Sequence, residues 1–116
     1  MSEQIDMVIQ QGADFEFLHE KEDISSSLID DITAVATLRE GIGGSIIATW
    51  STENGLISKT AHGNHIDFAI TVPAATTAAL AAPSSGVYDL DISYDGALGA
   101  WSVRHAEGAF YITPNV

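Results

Sequence analysis

Apolar and polar residues alternate with a period of two over much of this sequence, the signature of strands that bury one face. Ile5, Met7 and Ile9 alternate with Asp6, Val8 and Gln10. Gly12 interrupts the pattern, and Phe15, Phe17 and His19 resume it. Residues 5–19 therefore read as one strand path bent at Gly12, by a bulge or by a change of sheet. The acidic run from Glu20 to Asp23 and the serines 25–27 read as an exposed loop. Ile32, Ala34, Ala36 and Leu38 then predict a strand over 32–40, ended by Gly41, Gly43 and Gly44. Residues 45–52, with Ile46, Ile47, Ala48 and Trp50, predict another. Asn54-Gly55 is a strong turn dipeptide, so a hairpin is expected there, with 56–59 as its short return.

Residues 61–65 read as a loop. Beyond them Ile66, Phe68, Ile70 and Val72 form the cleanest alternation in the chain. Pro73 stands where it would open a helix, and the alanine-rich stretch 74–82 predicts a helical turn or two capping one end of the fold. Tyr88, Leu90, Ile92 and Tyr94 share one strand face, opposite Asp89, Asp91 and Ser93, before a turn at Asp95-Gly96. Trp101 and Val103 begin the next strand, Glu107-Gly108 breaks it, and Phe110 and Ile112 end on a last short strand. Trp50 and Trp101 are expected in the core, and Tyr111 on the outside. The sum is an all-β chain, an immunoglobulin-like antiparallel β-sandwich of about seven or eight strands with one short helical turn near 74–82.

Length and composition narrow the picture. The 116 residues suit one domain, 1–116, and with 46% hydrophobic and 17% charged residues there is enough apolar surface to bury. Sixteen acidic residues face four basic ones, Lys21, Arg39, Lys59 and Arg104, for a formal charge of −12. So few cations, spread along the chain, argue against a nucleic-acid partner and against an anionic membrane surface. The acidic excess favours solubility. Without cysteine there is no disulfide framework and no Cys-based zinc site, and folding in a reducing cytoplasm is expected. The N-terminus has neither a basic region nor an apolar core of signal-peptide type, and no apolar run is long enough to span a bilayer.

Few groupings suggest chemistry. His62 and His65 flank Gly63-Asn64 and could supply two metal ligands, but a zinc site needs three or four. Asp89, Asp91 and Asp95 are the candidate oxygen ligands for calcium, although strand alternation turns the first two toward solvent. There is no nucleophile elbow and no zinc-protease motif, and Gly41-Ile42-Gly43-Gly44 lacks the Lys-Ser/Thr and helix of a phosphate loop. No catalytic residue, no cofactor and no enzymatic activity are expected. An interaction surface is expected instead, around Tyr111, Asp89 and Asp91.

Three segments carry a resemblance. The first is Ile9-Gln10-Gln11-Gly12-Ala13-Asp14-Phe15, with Leu38-Arg39-Glu40 downstream. The second is Phe68-Ala69-Ile70-Thr71-Val72 leading into 74–80. The third is Ser85-Gly86-Val87-Tyr88-Asp89-Leu90, then Glu107-Gly108 and Ile112-Thr113-Pro114. In this order they resemble the small immunoglobulin-like domain of tailed-bacteriophage and prophage structural proteins, similar to the N-terminal domain of baseplate upper proteins and to short stand-alone tail proteins. The resemblance implies a virion protein made in the host cytoplasm and assembled as a homo-oligomer with other tail, baseplate or fibre components. Longer relatives continue into linker helices or a receptor-binding part. This sequence ends at Val116, so an adaptor that anchors or supports fibres is expected. The alternatives are a capsid decoration protein and, in another class, a carbohydrate-binding or calcium-dependent adhesion module.

Overall fold

The alternating segments fold as strands. A computed structural model describes residues 3–21, 24–82 and 84–114. In chain order these form β1 (Glu3–Gln4), β2 (Met7–Gln10), β3 (Phe15–Lys21), a 3-10 helix (Ser26–Asp31), β4 (Ile32–Arg39), β5 (Ile46–Ser51), β6 (Ile57–His62), β7 (His65–Val72), helix α1 (Ala74–Ala78), β8 (Ser84–Gly96) and β9 (Gly99–Thr113). Glu22, Asp23, Pro83 and Val116, which entered the sequence reading, lie outside the described residues.

The strands make two sheets. The larger runs β1-β9-β8-β4-β5, with β2 also on β9, and the smaller runs β3-β7-β6. Between them lie the apolar faces that alternation marked. Ile32, Ala34, Ala36 and Leu38 of β4, and Tyr88, Leu90, Ile92 and Tyr94 of β8, are all buried against Ile66, Phe68, Ile70 and Val72 of β7. Phe15 of the smaller sheet meets Trp50 of the larger at a ring-centroid distance of 5.8 Å. This is an all-β sandwich of immunoglobulin-like type, with one short helical turn.

The chain changes sheet at Gly12, whose φ of 82° is costly for any residue with a Cβ. Helix α1 holds that bend. The buried Thr77 hydroxyl donates to the Ala13 carbonyl at 2.7 Å and accepts from the Gly12 amide at 3.1 Å. The Ala74 amide donates to Asp14 Oδ1 at 2.7 Å, and Gln11 Nε2 donates to the Leu80 carbonyl at 2.8 Å. At the other end the 3-10 helix packs on β6 and β8, and half-buried Lys59 donates from Nζ to the carbonyls of Ile29 and Ile32, both at 2.6 Å. A helix end leaves carbonyls without intrahelical donors, and the ammonium supplies them.

Several sequence expectations need correction. Asn54-Gly55 turns the chain, but not into a hairpin. β5 pairs with β4 and β6 with β7, so the turn carries the chain between sheets. Asn54 organises it by accepting from the Ser51 and Leu56 amides at 3.0 and 3.2 Å and donating to the Thr49 carbonyl at 2.9 Å. Residues 61–65 are not a loop but the end of the β6–β7 hairpin, with Gly63 at φ 64° as the first turn residue, the pattern of a type II′ turn.

Serines 26 and 27 belong to the 3-10 helix, and the helical turn stops at Ala78, short of Ala82. The sandwich is not wholly antiparallel, because β1 and β2 run parallel to β9. Glu107-Gly108 does not break β9. Gly108 is instead where the N-terminal path crosses the strand: a Cβ there would collide with the Ile5 carbonyl. The Ile5 amide donates to the Glu107 carbonyl at 2.9 Å, the Ala109 amide to Asp6 Oδ1 at 3.1 Å, and the buried Tyr88 phenol to the Ile5 carbonyl at 2.5 Å.

Candidate interaction surface

The polar positions of β4, β8 and β9 form the outer face of the larger sheet. Arg39 Nη1 donates to Asp89 Oδ2 at 2.9 Å, and Arg104 Nη2 lies 3.5 Å from the same oxygen. Arg104 Nε reaches Asp91 Oδ1 at 3.4 Å. Two of the chain's four cations, 65 residues apart in sequence, thus meet on one carboxylate. Asp89 is not the solvated group that alternation implied: it is buried under the two guanidiniums. Asp91 stays half-buried. Its burial, and then the neighbouring Asp89 charge, raise its carboxyl above the ordinary 3.8 while Arg104 pulls the other way. The Asp89 charge in turn raises Arg104 further above the range in which it could lose its proton. Around this cluster lies a cleft of about 690 Å³, lined among others by Asp6, Ile42, Glu107 and Gly108.

Asp95 does not join that group. At a rise of about 3.4 Å per residue it lies roughly 13 Å beyond Asp91 along β8. The three aspartates therefore do not converge on one point. His62 and His65 do come together, as a cross-strand pair with ring centroids 5.1 Å apart, and His65 Nε2 lies 3.3 Å from Asp67 Oδ1. Among the described residues, no three His, Cys, Asp or Glu side chains are placed to hold a metal ion. Tyr111 is exposed, as alternation expected, and its strand partner is the exposed Val8.

The site that sequence reasoning missed is the outer half of β9. Trp101 lies opposite Tyr94, and Val103 opposite Ile92. Directly opposed residues share a face, so both point to the core side of the sheet. Yet Trp101 is 38% and Val103 42% exposed, whereas Tyr94 and Ile92 are 2% and 1%. Trp101 is thus not a core residue. It stacks on Tyr94, with ring centroids 5.8 Å apart and planes at 24°, and Leu98 at the hairpin tip is exposed beside it. The β8–β9 hairpin carries its apolar face past the cover of the smaller sheet. A bulge sets which face they take: Leu90 pairs with Ala106 and Asp91 with Arg104, leaving residue 105 as the extra one and turning Trp101 and Val103 to the side of Phe110 and Ile112.

No family model matches the chain, and no curated protein matches it. Among solved structures it is similar to AggA, the major subunit of aggregative adherence fimbriae type I from Escherichia coli. That likeness covers 95% of this chain and 89% of that one at 9% identity, with a TM-score of 0.36. So loose a likeness bears on neither fold detail nor function.

Proposed function

We propose that the chain is a structural protein of a tailed-bacteriophage virion, an adaptor of the tail or baseplate that anchors or supports fibres or receptor-binding proteins. The observation that carries this reading is the apolar overhang of Leu98, Trp101 and Val103 on the β8–β9 hairpin. Such a surface suits lasting contact with another protein. The three sequence segments that resemble phage immunoglobulin-like domains supply the setting, and the Val8–Tyr111 pair offers a second contact on the opposite face. The partners are other virion proteins and further copies of the chain.

The test is to separate particles carrying this protein into tails and capsids and to probe both with an antibody against it. The adaptor reading expects signal on tails. Signal on capsids selects a decoration protein, and absence from both overturns a virion role. Saturable glycan binding by protein that binds no tail component would select the adhesion module.

A further inference from the structure

Along residues 99–105, β9 has β8 on one side only among the described residues, because the parallel strand on its other side begins with Glu3 opposite Ala106. Soluble proteins ordinarily blunt such an edge with lysine, proline or an inward charge. The sequence Gly-Ala-Trp-Ser-Val-Arg has none of these before Arg104, and no charged residue lies between Gly96 and Val103 in a chain with sixteen acidic residues. We propose that this edge pairs antiparallel with the same edge of a second copy, about a two-fold axis at Ser102, so that the larger sheets of two copies become one. The proposal uses the same Trp101 and Val103 surface as the adaptor reading, with a second copy as the partner, and holds whether or not the protein belongs to a virion.

Three features select a second copy as the occupant. The first is register. Strand faces match across an antiparallel two-fold only if the axis passes through a residue, and residue 102 is the midpoint of the uncovered stretch 99–105. The second is packing. In that register Trp101 stands opposite the partner's Val103, and Val103 opposite the partner's Trp101, so each exposed side chain covers the other. The third is charge. Arg104 would face the partner's Ala100, and within one chain Ala100 is itself opposite Asp95. The guanidinium would then lie between its own Asp91 and, across a single methyl group, the exposed carboxylate of the partner's Asp95. Most other surfaces of a chain with a net charge of −12 would bring acid against acid.

The test uses the intact chain. Light scattering at a concentration on the order of 0.1 mM, where a small interface is populated, is expected to give twice the 12.2 kDa chain mass. Ser102→Cys gives a protein whose only thiol sits on the axis, and added oxidant is expected to link it into a dimer at least tenfold faster than Ser85→Cys, which places its thiol on exposed β8 away from the edge. Val103→Lys puts a charge into the apolar contact and is expected to abolish the dimer while leaving the melting temperature of the monomer in place. Should Val103→Lys not fold, Asp95→Lys reads the charge contact of the same interface at an exposed position and is expected to weaken the dimer by about fivefold to tenfold. A single-chain mass for the wild type at that concentration overturns the proposal. Equal linking of Ser102→Cys and Ser85→Cys also overturns it.

Discussion

Trp101 stacks on Tyr94 at 5.8 Å, yet Tyr94 is 2% exposed and Trp101 38%. One ring closes the core, and the other continues the same apolar face beyond it.

The two tryptophans should therefore differ in their structural worth. Trp50, 1% exposed and packed on Phe15, fills the space between the sheets. Trp50→Ala is expected to cost about 3–5 kcal/mol, the range for deleting a buried large aromatic. Trp101→Ala loses a stacking partner and partial burial, and is expected to cost about 1 kcal/mol in the monomer. Urea denaturation of both variants in dilute solution checks the order, which reverses if Trp101 is the core residue.

Thr77 joins α1 to the bend at Gly12. Thr77→Val keeps the shape but leaves the Ala13 carbonyl and Gly12 amide without the hydroxyl, and is expected to destabilise by about 1–3 kcal/mol. Thermal melting of Thr77→Val against Thr77→Ser, which restores the hydrogen bonds, separates that loss from packing. Similar melting of the two variants would show that the hydroxyl matters little.

Gly108 is where Ile5 crosses β9. Gly108→Ala must push the N-terminal path away from the strand, with an expected cost of about 1–3 kcal/mol, as for other overpacked sites. Limited proteolysis should then cut near Ile5 and Asp6 sooner than in the wild type. An unchanged cleavage pattern would mean that the crossing has room for a methyl group.

The Asp91 carboxyl sets a pH dependence. Because burial and Asp89 raise it above 3.8 in the fold, the folded chain holds this proton more tightly than the unfolded chain does. Its contribution to stability is fully present below 3.8 and is lost as pH rises through the folded value. Asp91→Asn is thus expected to melt higher than the wild type at pH 7, with the gap closing as pH falls toward 3.8. A wild type that is the more stable at pH 7 would mean that the Arg104 contact outweighs burial.

Much of the sandwich was legible because burial on one face writes itself as alternation. Ile32–Leu38 and Ile66–Val72 follow it residue by residue, and the sheet change at Gly12 was marked by the glycine. Pairing was harder to read. Asn54-Gly55 specifies a tight turn, but a turn does not say whether its flanking strands share a sheet. Trp101 and Val103 do share the core-side face with Phe110 and Ile112, and no local pattern shows that the smaller sheet stops short of them. Asp89 looked solvated because its two arginines stand 50 and 15 residues away.

Amide hydrogen exchange tests β9 as an assembly edge directly. Exchange at the edge-facing amides of Gly99–Arg104, every second residue, is expected to slow about tenfold between low-micromolar and submillimolar protein as they pair, while the alternate amides already face β8. The amides of β5, at the far edge of the same sheet, should exchange at the same rate in both. Equal exchange at the edge-facing amides of Gly99–Arg104 at the two concentrations would contradict assembly through β9.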